Sequence, residues 1–178
     1  LPKVVIPVHL AGQSCEMDKI YSLSKKYKFK IIEDASHATG AKYDGKPVGS
    51  CQYSDIAVFS FHPVKIITSG EGGMAVTNSE EIMLSMASLR SHGITRDPEL
   101  MTIEPDGAWF YQQLELGFNY RMTDIQAALG LSQLERLDTF VKQRHSVANT
   151  YFEKLESDNI ILPFQHRDSF SSFHLFIL

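Results

Sequence analysis

Asp34, Ser60 and Lys65 are the residues whose types and spacing invite joint chemistry. Lys65 is the single lysine of residues 59–73, F-S-F-H-P-V-K-I-I-T-S-G-E-G-G, a run with almost no other charge. Pro63 and the glycines impose a tight non-helical path, which is expected to keep the lysine off an exposed helix face and shielded from water. Burial disfavours the charged form of an amine. A neutral amine attacks carbonyls, the chemistry of lysines that form Schiff bases. Asp34 follows the apolar pair Ile31-Ile32, where a carboxylate needs a cation or hydrogen-bond donors. Ser60 stands five positions before Lys65, where its hydroxyl could reach an anion. Lys65 and Asp34 also have ordinary readings: a solvated turn lysine and a loop aspartate capping a turn.

The elements that must position these residues alternate in type. Residues 4–9 read as a short buried strand. Ser14 reads as the N-cap of a helix over residues 16–27, with Met17, Ile20, Tyr21, Ser24 and Tyr27 on one face. Residues 30–33 form the next strand. Strand, helix and strand in this order make a βαβ unit with parallel strands and a right-handed crossover. Ligands in such sheets sit just beyond the carboxyl ends of the strands, and Asp34 lies there. Asp44-Gly45 marks a turn between short strands at 42–43 and 47–48. Residues 55–61 and 74–77 read as buried strands flanking the lysine loop. Asn78 or Ser79 caps a helix to about Ser91, turning Ile82, Met83, Met86 and Leu89 inward. Residues 92–120 lack a sustained period yet hold Trp109, Phe110 and Tyr111, so a lid or a dimer-contact segment is expected rather than disorder.

Thr123 and Gln126 make a capping box for a helix bearing Ile125, Ala128, Leu129, Leu131 and Leu134. A second helix covers residues 138–156, with Phe140, Val141, Val147, Tyr151, Phe152 and Leu155 as its apolar positions. Residues 173–178 read as a further strand. The expected fold class is α/β, a mixed, mostly parallel sheet flanked by helices. Residues 1–135 are expected to form a large domain lacking its N-terminal part. Residues 136–178 are expected to supply a connecting helix and the start of a smaller domain.

The 178 residues are 43% apolar, enough for one core of ordinary size. Seventeen basic and 21 acidic residues leave a net charge of −4, which argues against a nucleic-acid or anionic-membrane surface. No apolar run approaches membrane-spanning length and no signal-peptide pattern is present. Cys15 and Cys51, without a C-x-x-C, point to a reduced cytoplasmic protein. The seven histidines lack metal-ligand spacing, so no metal is expected. The chain opens on Leu1 rather than Met and stops within an apolar run, so a piece of a longer protein is expected.

An acid after a parallel strand, a loop lysine and a hydroxyl before that lysine are what pyridoxal 5'-phosphate (PLP) requires. The amine holds the aldehyde as an imine, the carboxylate keeps the pyridine nitrogen protonated, and hydroxyl and N–H groups hold the phosphate. The glycines at 70–73 lack the spacing of a nucleotide phosphate loop. E-D-A-S-H-A-T-G (33–40), the lysine stretch (60–73) and G-F-N-Y-R-M-T-D-I-Q-A-A-L-G (117–130) together resemble the PLP-dependent sugar-nucleotide aminotransferases of the DegT/DnrJ/StrS family, fold type I. The resemblance covers essentially the whole chain. S-H-G-I-T-R-D-P (91–98) with E-P-D-G-A-W-F-Y-Q-Q-L-E-L-G-F-N-Y-R (104–121) resembles the branch that aminates a UDP-linked 4-keto-6-deoxy-N-acetyl-hexose on the way to pseudaminic acid.

The resemblance implies that Lys65 is the Schiff-base lysine and proton shuttle, and that Asp34 partners the pyridine nitrogen. It puts His37 beside the ring and its 3-hydroxyl and makes Ser60 a phosphate ligand. Asn119 is implied to reach the phosphate of the neighbouring subunit's cofactor, so the active site is shared across a homodimer. Arg121 lies near the site or ties its loop to the next helix. His62, a lone histidine, is read as a packing residue or one that supports the site without touching the cofactor. The implied substrates are a UDP- or dTDP-linked keto sugar and an amino donor such as glutamate. Family members that dehydrate the sugar lack the lysine, which ranks dehydration below transamination. A reading of another class stays open: a catalytically silent fragment or paralogue serving as a dimerisation or sugar-nucleotide-binding module.

Overall fold

In the computed structural model, which describes residues 1–155, 157 and 159–178, the chain opens with a strand–helix–strand crossover that ends at Asp34. β1 (Val4–Val5) and β2 (Lys30–Asp34) pair in parallel, Val5 opposite Ile31, and α1 (Met17–Tyr27) joins them. The helix buries Met17 and lays Ile20 and Tyr21 against a core of Met17, Ile31 and Tyr43, while Tyr27 is exposed. The expected Ser14 cap does not form: the Ser14 hydroxyl donates to the neighbouring Cys15 carbonyl, and the helix starts after Glu16 without a side-chain cap. The expected buried strand over 4–9 breaks into the two-residue strand Val4–Val5 and an isolated bridge from Val8 to Asp34, with Ile6 and Val8 exposed.

β3 (Lys42–Tyr43) and β4 (Lys46–Pro47) form a hairpin whose turn residues, Asp44 and Gly45, both have positive φ, 48° and 71°. This is the mirror-image turn that an Asp-Gly pair tolerates. β5 (Ile56–Ser60) runs parallel to β2, with Val58 opposite Asp34. β6 (Gly73–Val76) returns antiparallel, with Gly73 opposite Ser60. The sheet order is β1-β2-β5-β6, mixed and mostly parallel. β6 is exposed rather than buried as expected, because it is the outer strand of the four. A second small core of Ala35, Ala38 and Ala41 lies under the loop after β2, covered by Val48 and Phe59.

The chain divides into two compact units, Leu1–Asn78 with Asp124–Leu178, and Ser79–Thr123. The second unit opens with α2 (Glu80–Arg90), where Ser79 accepts the Ile82 N–H as an N-cap should. Ile82, Met86 and Leu89 of α2 are half-buried, whereas Met83, expected inward, is exposed. β7 (Ile94–Thr95) and β8 (Gln112–Gln113) pair antiparallel, so the long irregular stretch is organised as an open hairpin with a 3-10 turn at Pro98–Leu100.

In the first unit, α3 (Asp124–Leu134) and α4 (Leu137–Lys154) precede β9 (Ser169–Phe170). The apolar positions of α3 point outward: Ile125, Leu129, Leu131 and Leu134 are all exposed. On α4, Val141 and Ala148 are buried, while Val147 and Tyr151 are exposed. The expected end of this helix at Glu156 lies outside the described residues. The expected strand over 173–178 is absent. Phe173 has φ 46°, and the N–H groups of Ser172 and Leu175 donate to Gly12 and Ala11 instead of to a strand partner. β9 pairs with β3, Phe170 opposite Lys42. Among the described residues, no helix is long and apolar enough to cross a membrane, and no group of three or more His, Cys, Asp or Glu is arranged to hold a metal ion.

Candidate functional site

Asp34 is the last residue of β2, and Ser60 ends β5, so both stand at the carboxyl edge of the parallel strands. The connection from β5 to β6 leaves from that same edge and carries Lys65. The Asp34 backbone is pinned on both sides: its N–H donates to Pro7 at 2.9 Å, and its carbonyl accepts the His9 N–H at 3.0 Å. Its Oδ1 accepts the Ser36 N–H at 3.1 Å. Partial burial works to raise the Asp34 pKa, but the hydrogen bonds from Ser36 and the charges of His37 and Lys65 outweigh it. The carboxyl is held below the ordinary carboxylate value and is ionised at neutral pH.

His37 follows in the same loop, and its Nδ1 accepts the Ala11 N–H at 3.3 Å. Burial, then the Lys65 charge, lowers its pKa, and Asp34 opposes them. A neutral ring with Nδ1 occupied as an acceptor carries its proton on Nε2. Lys65 is half-buried, not shielded from water as expected. The reason is local: its N–H closes a turn onto the His62 carbonyl at 2.9 Å, with Pro63 and Val64 exposed, and the chain is drawn inward only at Ile66 and Ile67. The charge on Lys65 nevertheless acts on Asp34, His37 and His174. Ser60 Oγ accepts the His62 N–H at 3.5 Å. His62 is exposed, with Nδ1 accepting the Val64 N–H and Nε2 3.7 Å from Glu71.

The structure thus gathers Asp34, His37, Ser60 and Lys65 at one sheet edge. Asn119 and Arg121 belong to the Ser79–Thr123 unit and are exposed there, with Asn119 bridged to Ser91 through the backbone.

Two sets of side chains beside the site went unnoticed in the sequence. The first is His9, fully buried, with Nε2 2.8 Å from Glu33 Oε2; the Ser54 hydroxyl donates to the other Glu33 oxygen. Burial disfavours charge on His9, but the contacts with Cys15 and Glu33 prevail and push it up to about 9. The Cys15 N–H, 3.2 Å from Nδ1, suits a neutral ring instead. We favour the charged ring, because Glu33 is only 5% exposed and a carboxylate so placed needs a cation. Alternation could have revealed the burial of Glu33, though not its partner: Ile31 and Glu33 share a strand face, so a buried Ile31 puts Glu33 in the interior. The second set is residues 171–174, all buried, with the His174 ring on that of His37. A cavity of about 520 Å³ opens beside it, lined by Ile66, Arg144, Tyr151, Phe173, His174 and Phe176 among others.

The pattern of the DegT/DnrJ/EryC1/StrS aminotransferase family matches residues 2–178. A protein of Campylobacter jejuni named UDP-4-amino-4,6-dideoxy-N-acetyl-beta-L-altrosamine transaminase is 41% identical over 170 residues, covering 95% of this chain and 42% of that one. The structure of Helicobacter pylori PseC, an aminotransferase involved in the biosynthesis of pseudoaminic acid, is similar with a TM-score of 0.85 and 35% identity, over 98% of this chain and 44% of that one. Spr1654 of Streptococcus pneumoniae, solved in a PLP form, gives a TM-score of 0.84 and 31% identity over 98% and 47% of the two chains. The chain spans less than half the length of these relatives.

Proposed function

This chain belongs to the DegT/DnrJ/EryC1/StrS aminotransferase family, and from that premise we propose that it is part of a PLP-dependent enzyme moving an amino group from an amino acid to a nucleotide-linked keto sugar. The observation that carries the reading is the meeting of Asp34, His37 and Lys65 within electrostatic reach of one another at the carboxyl edge of β2 and β5. An ionised carboxyl, a neutral imidazole, an amine and a hydroxyl form a donor set that fits a ring bearing a basic nitrogen, a hydroxyl, an aldehyde and a phosphate. When bound, PLP supplies that aldehyde for amine exchange and a ring that draws electrons from the reacting carbon.

Lys65 gives the amine that anchors the aldehyde, and once released it moves a proton to and from the substrate carbon, as base and then as acid. Asp34, kept ionised, keeps the ring nitrogen protonated. His37 offers its Nε2–H to the ring oxygen, and Ser60 its hydroxyl to the phosphate. Residues 1–135 contribute to the cofactor-binding domain and 136–178 begin the smaller one. Asn119 serves the partner's cofactor in a homodimer. The sugar is a UDP-linked 4-keto-6-deoxy-N-acetyl-hexose and the donor glutamate. Residues 91–121 and the names of the Campylobacter and Helicobacter relatives support this choice of sugar.

The test is spectroscopic. PLP added to the chain should produce a visible absorbance band, and borohydride reduction followed by peptide mass spectrometry should locate the adduct on Lys65. Lys65→Ala should lose both; a band and adduct that persist in that variant end the assignment. A chain that shows neither band nor adduct would point instead to the second reading, a silent dimerisation or sugar-nucleotide-binding module.

A further inference from the structure

Residues 171–175 come back from the far end of the chain to the rear of the site. The Ser172 hydroxyl donates to the His37 carbonyl at 3.1 Å, and the Ser172 N–H to Gly12 at 3.0 Å. The Leu175 N–H donates to Ala11 at 3.2 Å. Arg144 Nη1 donates to the carbonyls of Phe173 and His174, each at 3.1 Å. Between these anchors the His174 ring lies on that of His37, with centroids 4.5 Å apart and planes 43° apart. His174 is 9% exposed, and its Nδ1 is buried without a hydrogen-bond partner. Buried polar atoms are rarely left so, because the lost hydration is not replaced. A buried, unpaired histidine against a site residue calls for a role.

His37 is the residue this arrangement confines. Its ring must keep Nδ1 on the Ala11 N–H, and a half-turn of the ring would replace that nitrogen by a carbon. We infer that His174 is a positioning residue: its ring, packed on His37, holds His37 in the orientation that accepts from Ala11 and presents Nε2–H to the site. The orientation depends only on residues of this chain, whereas what the Nε2–H meets rests on the proposed function. The charges around the pair agree with this assignment. Burial, then His37, Lys65 and Arg144, pushes His174 down to about 4, so it stays uncharged beside His37. Asp34 is the acid whose charge acts on His37, opposing the effect of Lys65.

Nitrogen-15 NMR of the imidazoles, in the chain without cofactor, tests the inference directly. The expected spectrum has His37 with Nδ1 bare and Nε2 protonated at neutral pH. His174→Phe keeps a ring to pack and should preserve that tautomer, whereas His174→Ala should give a mixture and weaken PLP binding severalfold. A His37 tautomer unchanged in His174→Ala overturns the inference. Should that variant not fold, His174→Gln gives an independent reading, because it removes the ring that packs on His37 while keeping a polar side chain of similar reach. An unchanged His37 tautomer in that variant overturns the inference as well. A tautomer that follows His174 in a chain that never binds PLP supports the positioning role and counts against the proposed function; binding with an indifferent tautomer does the reverse.

Discussion

His9 and His174 are buried histidines displaced in opposite directions, and both contribute to how stability depends on pH. His9 is raised above its ordinary value to about 9 by Cys15 and Glu33, against the effect of burial. Between 6.5 and 9 the folded chain therefore holds a proton there that the unfolded chain has lost. The stabilisation from His9 is complete below 6.5 and fades as pH climbs to 9, by on the order of 3 kcal/mol. His174 is lowered to about 4, chiefly by burial. Between 4 and 6.5 the unfolded chain takes up a proton that folded His174 refuses, so stability falls as pH drops through that window. Thermal unfolding midpoints measured from pH 4 to 10 should peak near 6.5, with the alkaline limb flattened in His9→Gln. A maximum near pH 9 would contradict the charged state given to His9.

Among the elements, the short turn Leu10–Gly12 does more than its length suggests. It joins β1 to the approach of α1, holds His37 through the Ala11 N–H, and receives the N–H groups of Ser172 and Leu175. Gly12 is needed there for two separate reasons. Its φ is +104°, a conformation that costs side-chain-bearing residues energy, and a Cβ would lie 2.7 Å from Ser172 Oγ and 2.9 Å from the Phe173 nitrogen. Gly12→Ala should therefore destabilise the chain by about 2 kcal/mol or more, read as a lowered unfolding midpoint. Near-wild-type stability would mean that residues 171–174 are not held as described. Gly40 plays a similar part against α4, with φ +84° and Val141 Cγ2 2.9 Å from where a Cβ would stand.

For the molecule as a whole, the outward stripe of α3 is the feature that bears on assembly. Ile125 is 84% exposed and Leu131 64%, although the helix has the apolar spacing of one that covers a core. Apolar surface left in water favours association. The chain in solution should therefore bind a hydrophobic dye and elute above its monomer mass of 20.1 kDa in gel filtration. Titration of the eluted species with PLP separates the two functional readings. An associated species that binds PLP agrees with an aminotransferase assembled from shared subunits. A monomer that neither binds the dye nor takes up PLP would contradict both the exposed stripe and the enzymatic reading.

The local signals in the chain were enough for the crossover unit, the Asp-Gly hairpin, a helix cap at Asn78 or Ser79 and the placement of Asp34 beyond a parallel strand, because each depends on a few neighbouring residues. Residue type and spacing also suggested that Lys65 and Ser60 belong with Asp34, and all three lie at one sheet edge. Packing decided what local patterns leave open: which apolar stripes turn inward, how far Lys65 is buried, and that residues 173–178 do not extend as a strand. His9 met Glu33 across 24 positions, and Ser172 met the His37 carbonyl across 135. No period or propensity encodes such contacts. They exist because buried polar groups must find partners wherever the fold brings them, and only the closed structure says where that is.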